Sequence, residues 1–478
     1  MKVEGSVSTL HDFEQQIFTS HYRMTDPDLF SLLSRAQSHL DEGFASLPAA
    51  SSPSLDDQAA AVLNETATRL HDNYPYGHPL YAGQMLKPPH PIARAAYALA
   101  TSVNPNNHAL DGGRASSAME IEAVAALAKM FSWPQHLGHL TSGGTFANLE
   151  ALWIAGQLAP GKKIVASDQA HYTHSRISAV LGLPFASIPS DDKGCMDLAA
   201  LEIAVATGEI GTVVVTLGTT AIGSIDPLDR ILALREKYGF RIHVDAAYGG
   251  YFTLASNLTP RVRAAYDALP HADSIVIDPH KHGLQPYGCG AVLFRNPTVG
   301  RFYKHDSPYT YFSSKELHLG EISLECSRAG ASAVALWATQ RLLPYTPGGI
   351  FARGLEAGRD AALELNRRVA ADTRFIAPLS PPQLDIVFFA AHSPYAASTP
   401  ESSSALAQKI FDQAAQLDLH LALANLPIRF FPPDSFPGHS TGTVTCLRSV
   451  LMKPEHLEWI DPIWQRLDQA AAAILRFR

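Results

Sequence analysis

Cysteine is scarce in this chain, with four among 478 residues. Cys195, Cys289, Cys326 and Cys446 lie far apart and form no C-x-x-C pair, so neither a disulfide framework nor a zinc site is expected. Reduced thiols in a cytoplasmic protein fit that usage. No Lys/Arg run or basic stripe is present and the net charge is −8, which makes nucleic acid an unexpected partner. No apolar run reaches the ~18–20 residues of a membrane-crossing helix, so no membrane partner is expected. The opening MKVEGSVSTLHDFEQQ has no apolar core of the kind a secretory signal carries. Histidine is plentiful at 21, yet no H-E-x-x-H groups it, and no metal is expected.

What is present is a 46% hydrophobic content, enough to bury a large core in two or three domains. An N-terminal helical arm is expected over 1–75. Its helical patterns run from Asp26-Pro27 through Leu40 and from Gln58 to Asp72, split by the Ser- and Pro-rich break Leu47 to Asp57. From about residue 90 the chain alternates. Helices are predicted over 92–103, 118–131, 145–158, 172–181 and 229–238. Strands are predicted over 163–166, 212–217, 241–244, 274–277 and 289–294. Strands alternating with helices imply crossover units, hence a large α/β domain, 76–345, around a mainly parallel sheet. Pro344, Pro347, Gly348 and Gly349 then punctuate the chain. Beyond them, helices 350–372, 403–417 and 454–475 with strands near 384–390 predict a smaller C-terminal α+β domain, 346–478.

Ligands of open parallel sheets sit beyond the carboxyl ends of the strands. Four candidates fall at such places. Ser142-Gly143-Gly144-Thr145 precedes a helix. Its glycines let backbone N–H groups approach an anion, and the helix N-terminus favours negative charge, which suits a phosphate. The plainer alternative is a glycine turn capped by Thr145. Asp245 ends the β-branched stretch Ile242-His243-Val244. It is either a turn residue or a carboxylate partner for a protonated ring nitrogen. Lys281, in Asp278-Pro279-His280-Lys281-His282, follows an apolar strand and precedes a Tyr-Gly-Cys-Gly turn. It is either a solvated surface charge or a nucleophilic amine. His171 follows the strand at 163–166. It is either a helix-start residue or an imidazole that stacks on an aromatic ring.

The order of these residues along the chain is more specific than any one of them. The stretches SGGTFANLEAL, SDQAHYTHSRI, LGTTAIGSIDP, HVDAAYGG and ADSIVIDPHKHGL resemble the group II decarboxylases that use pyridoxal 5′-phosphate (PLP). That family acts on aromatic amino acids, glutamate, tyrosine and diaminobutyrate. The resemblance covers residues 75–345 well and the C-terminal part more loosely. It implies fold type I, a homodimer with the pocket between subunits, and α-decarboxylation of an L-amino acid to the amine and CO2. Residue by residue it implies that Lys281 carries PLP as a Schiff base and Asp245 pairs with the pyridine nitrogen. His171 would stack on the ring, with Ala247 on the other face. Gly144 and Thr145 would hold the phosphate, with Thr220 near the ring hydroxyl. Ser274 and His280 would lie beside the cofactor. Arg448 would meet the substrate carboxylate, or else be a surface or interface arginine.

Three departures stand out. His282 replaces an aromatic residue carried by the aromatic enzymes, and Asp278 replaces an asparagine of some members. The stretch from Lys281 to Arg328 is shorter than in the animal enzymes. It holds Ser307-Pro308-Tyr309-Thr310-Tyr311-Phe312, where the family places a catalytic tyrosine on a loop. Tyr309 and Tyr311 are both candidates, Tyr311 preferred. Competing readings are a carbon–carbon lyase, an aldehyde-forming oxidative decarboxylase, and a non-catalytic PLP-binding protein. Tyr81, Asn107, His108 and Arg114 are expected near the substrate. This mixed set leaves the substrate open, with an aromatic amino acid favoured.

Overall fold

The computed structural model of the chain describes residues 27–50, 55–108, 111–304, 322–395 and 397–475. Tyr309 and Tyr311 lie outside the described residues.

Seven strands form the large sheet: β1 (Leu137–Thr141), β2 (Lys163–Ser167), β3 (Phe185–Ile188), β4 (Ile210–Thr216), β5 (Arg241–Asp245), β6 (Ser274–Ile277) and β7 (Gly290–Phe294). Their order across the sheet is β1-β7-β6-β5-β4-β2-β3. β3, β2, β4, β5 and β6 are mutually parallel; β7 runs antiparallel to both β6 and β1. A sheet covered by helices on both faces needs strands apolar on both sides. The sequence supplies them: Val213–Val215, Ile275–Ile277 and Ala291–Phe294 are all buried. This is the α/β, mainly parallel architecture expected.

A second, antiparallel sheet follows, in the order β10-β11-β9-β8: β8 (Phe375–Ile376), β9 (Ile386–Ala391), β10 (Ala422–Pro427) and β11 (Thr443–Val450). Alternation along β9 divides its side chains between two layers. Val387 and Phe389 join the core formed with helices Ile350–Ala371, Pro400–Ala415 and Ile460–Leu475. Phe388 and Ala390 pack with Ile222, Phe430 and Phe431 on the other side. Segment 80–82 is stitched to this unit: Ala82 N donates to His420 O, and Val450 N to Ala82 O.

Several elements differ from expectation. β1, β3, β10 and β11 were not anticipated, nor were helices Leu198–Ala206, Pro260–Asp267 and Gly330–Leu342. The single helix expected over 454–475 is broken. A short 3-10 turn, Pro454–Leu457, precedes the helix Ile460–Leu475, in whose first turn Pro462 costs no hydrogen bond. Among the described residues, no helix is long and apolar enough to cross a membrane, and all four cysteines are free.

Candidate active site

The ends of β1, β2, β4, β5 and β6 converge on one cleft of about 410 Å³. Its walls carry Ser142–Phe146, His171, Thr216, Thr220, Asp245, Ala247, Asp278, His280 and Lys281, a size and polarity that suit a small organic ligand. The 142–145 turn opens helix Gly144–Leu158, whose N-terminal amides face an anion site. Close packing fixes this turn. A Cβ on Gly290 would lie 2.5 Å from the Gly143 carbonyl carbon, and one on Gly144 would lie 2.6 Å from Asp278 Oδ2.

The Lys281 turn follows β6. Lys281 N bonds Asp278 O (2.9 Å) and His280 N bonds Cys289 O (3.1 Å), so the loop is tight and bridged to the start of β7. Lys281 Nζ lies 3.1 Å from Asp278 Oδ2, and His280 Nε2 lies 3.5 Å from the same oxygen. Burial lowers the pKa of His280.

Asp245 ends β5, 5% exposed. Burial alone would raise its carboxyl. The hydrogen bond from His174 Nε2 (2.8 Å), the charges of His174 and Lys281, and the Ala247 amide (3.1 Å) outweigh that, holding it well below the usual carboxylate range. It is therefore an anion at neutral pH. His171 is pushed down by burial and is neutral. Its Nδ1 accepts from Thr173 N (3.3 Å) and lies 2.8 Å from Thr173 Oγ1, which leaves the ring proton on Nε2. Thr220 sits on the turn after β4. That turn is built on Gly218, whose φ of 98° suits only glycine and whose Cβ would meet Gly249 N at 3.0 Å.

Two expected residues are placed elsewhere. Ser274 begins β6, as the strand predicted over 274–277 has it, and its Oγ lies 2.9 Å from His243 Nδ1, outside the residues that line the cleft. Its strand direction, not its neighbourhood in sequence, decides this. Arg448 is buried on β11 and does not line the cleft. It donates to the carbonyls of Ala221 (2.8 Å), Gly83 (3.1 Å) and Thr220 (2.6 Å). His174 and Asn148 were missed. Asn148 Nδ2 bonds Gly144 O (2.9 Å), and its Oδ1 lies 2.8 Å from His243 Nε2. Spacing offered the only cue for either: His174 is one turn beyond His171, and Asn148 one turn beyond Gly144.

The residues fit PLP. An anion-binding turn, a lysine amine and a buried carboxylate face one cavity. Beside them, Asp278 Oδ1 and His280 Nδ1 are buried without hydrogen-bond partners. Among the described residues, no His/Cys/Asp/Glu cluster could hold a metal ion.

Comparison with known proteins agrees. The model of the pyridoxal-dependent decarboxylase conserved domain matches residues 46–391. An L-tyrosine decarboxylase of Enterococcus faecium is 27% identical over 469 residues, covering 76% of this chain and 77% of that protein. An L-2,4-diaminobutyrate decarboxylase of Acinetobacter baumannii is 28% identical over 324 residues, 60% of this chain and 62% of that protein. Among solved structures, Oryza sativa TDC with PLP and tryptamine superposes with a TM-score of 0.75 at 18% identity. That match covers 95% of this chain and all of the other.

Proposed function

The chain belongs to the pyridoxal-dependent decarboxylase family, and from that premise we propose that its Lys281 cleft decarboxylates an L-amino acid, with an aromatic one as the preferred substrate. The protein is a PLP-dependent carboxy-lyase of fold type I. One observation carries the residue assignment: Lys281, Asp245 and the Gly143–Thr145 turn reach one cavity from three different strand ends.

Bound PLP supplies an electron sink for the pair left at the substrate Cα when CO2 departs. The chain's residues do the rest. Lys281 would hold the cofactor aldehyde through its amine, and Gly144 and Thr145 would hold its phosphate. Asp245, an anion kept so by His174, would keep a proton on the ring nitrogen. His171 and Ala247 would pack on opposite faces of the ring. Thr220 and His280 would lie at its edge. Arg448 would meet the substrate carboxylate only with guanidinium N–H groups beyond the three committed to carbonyls. Tyr309 and Tyr311, Tyr311 preferred, remain the proposed donors of the proton that returns to Cα.

The same reading includes a homodimer, a cytoplasmic setting, and division of the chain near residues 75 and 345. Helix Asp57–Leu70 supports the dimer: it buries none of its residues within one chain although it carries Val62, Leu63 and Leu70. Sedimentation at micromolar concentration should show a dimer. The function is tested by CO2 release over a panel of amino acids, with amine and aldehyde products measured together. Amine with CO2 from an aromatic substrate is the expected result. No CO2 from any substrate would overturn the proposal.

A further inference from the structure

Behind the Lys281 turn lies a buried polar group that the cofactor contacts leave unused. Asp385, fully buried and just before β9, accepts a 2.6 Å hydrogen bond from Tyr248 Oη on Oδ1. Its Oδ2 lies 3.2 Å from His282 Nε2. The His282 ring packs edge-on against Tyr248 (4.7 Å) and Phe252 (5.1 Å). Neither ring nitrogen makes an aligned hydrogen bond among the described residues, so the histidine is held by packing, with the Asp385 carboxylate facing its Nε2.

Both partners of Asp385 border the cofactor residues. Tyr248 follows Ala247 and lines the cleft, and His282 follows Lys281. One carboxylate from the C-terminal sheet therefore touches both loops that would grip the cofactor. An apolar side chain would fill the same space without the cost of a buried charge. We propose that Asp385 is a positioning residue for the cofactor site: its anionic carboxylate holds Tyr248 and His282 to one point and so fixes the Lys281 turn relative to the end of β5. The inference rests on the assignment of the cleft as the PLP site.

The charges around Asp385 make it testable by pH. It is faced by Tyr248 and His282 directly, by Lys87 and Arg448 through their charge, and by Tyr266 behind Tyr248. Lys87 Nζ is engaged with Met452 O, and Tyr266 Oη with Gly249 O. Burial pushes the Asp385 carboxyl up to about 6, against the Tyr248 hydrogen bond and the two cations. Burial, with the charges of Lys87 and Lys281, holds His282 well below its usual value, so it stays neutral. Over the range from pH 8 to 5, then, Asp385 passes from anion to neutral acid while His282 does not change and Lys87, pushed down to about 8 by burial, gains its full charge in wild type and variant alike.

Asp385→Asn mimics the neutral acid at every pH. Its affinity for PLP is measured by titrating the cofactor into cofactor-free dimer and following the visible band, beside the wild type. At pH 8 the variant should bind roughly tenfold more weakly, a size typical of groups coupled in one buried network. At pH 5 the ratio of the two dissociation constants should approach one, because both side chains are then neutral. The Tm of the variant should not fall, since a buried charge has been removed. Equal affinity at pH 8, or an unchanged ratio at pH 5, overturns the proposal. If the Asn variant does not fold, His282→Phe carries the same test, because it removes the other partner of the carboxylate. A wild type that fails to bind PLP would overturn the cleft assignment and this inference together; tight binding by wild type and variant alike overturns this inference alone.

Discussion

Replacing His174 by Phe removes the largest of the interactions that keep Asp245 an anion, leaving the Lys281 charge and the Ala247 amide. His174 Nε2 and Asp245 Oδ2 are 2.8 Å apart, and both side chains are buried. Phenylalanine fills the volume but donates no hydrogen bond, leaving Asp245 with only the Ala247 amide at 3.1 Å as a hydrogen-bond donor. A hydrogen bond to a charged group contributes about 1.5–3 kcal/mol, and breaking a buried pair costs up to ~5 kcal/mol. A loss of about 2–3 kcal/mol at neutral pH is expected, discounted for the amide that remains. The pH dependence has a definite sign. The folded pKa of Asp245 is depressed, so its stabilisation is present above the unfolded value of 3.8 and is lost as pH falls through the folded one. In the variant, burial is opposed by fewer partners and the carboxyl takes up its proton at higher pH. The stability gap from wild type should therefore hold between pH 7 and 5 and close only as pH falls below the unfolded value of 3.8. Function should fall too, because a more basic Asp245 competes with the cofactor ring nitrogen for the proton. At about 1.4 kcal/mol per pKa unit, a shift of one to two units lowers turnover by roughly 10–100-fold. Urea unfolding at pH 7 and 5 and the rate of CO2 release measure both. Wild-type stability and turnover in His174→Phe would refute this account of how Asp245 is held. So would a stability gap that already closes between pH 7 and 5.

Three other outcomes are expected. Lys281→Ala should yield colourless protein with no borohydride-fixed cofactor after dialysis; peptide mapping that finds the adduct on another lysine would contradict the assignment. Gly144→Ala places a methyl 2.6 Å from Asp278 Oδ2 and should push the anion-binding turn aside. Turnover should then drop by on the order of a hundredfold, as for an ångström-scale misplacement, and a fully active variant would show that the turn does not hold the cofactor. Acid should destabilise the protein from below pH 6.5. Burial pushes His243 down to about 3, and His282 and His456 well below their usual range, so these three bind protons only when unfolded. Asp226 and Asp385, pushed up to about 6 by burial, act in the opposite sense between pH 6 and 3.8. His90, pushed down to about 4 by burial, adds a fourth histidine, and the excess of two over the acids leaves a net slope of about 2.7 kcal/mol per pH unit, read from urea midpoints; a flat profile from pH 6.5 to 5 would count against the buried neutral histidines.

The central sheet was legible because its parallel strands are buried on both faces and so read as continuous apolar runs. Val213–Val215 and Ile275–Ile277 could hardly be anything else. The ends of such runs are where ligands bind, which is why Asp245 and Lys281 were singled out, whereas Thr145 was singled out by the glycine pair that opens a helix. β1 was missed because Gly138 and His139 break its run. In the fold Gly138 is needed where its Cβ would lie 2.8 Å from Val292 O, and His139 is buried 2.9 Å from Glu150. Ser274 and the Lys281 turn stand at opposite ends of β6. At ~3.3 Å per residue, the four residues of β6 separate its two ends by about 10 Å. His174 was illegible because its partner Asp245 lies 71 residues further on, and nothing local records that their side chains meet.

The C-terminal unit illustrates a different limit. The family resemblance put Arg448 either at the substrate carboxylate or at a surface or interface. A buried arginine has five donors to satisfy, and carbonyls at a junction between two layers satisfy them as well as a ligand does. Here the carbonyls of Gly83, Thr220 and Ala221 take three of them, joining β11 to the segment after the N-terminal arm and to the turn after β4. Asp385, just before β9 of the same sheet, works through Tyr248 and His282. Both residues reach the cleft walls from behind. The residues that line the cleft come from the large domain, and Asp385 and Arg448 brace their loops from the small sheet as His174 and Asn148 do from within the large one. A search of the sequence for residues able to touch a ligand finds the first kind and misses the second. What marks the second kind is a charge buried where packing alone would favour an apolar residue, and burial is known only once the fold is.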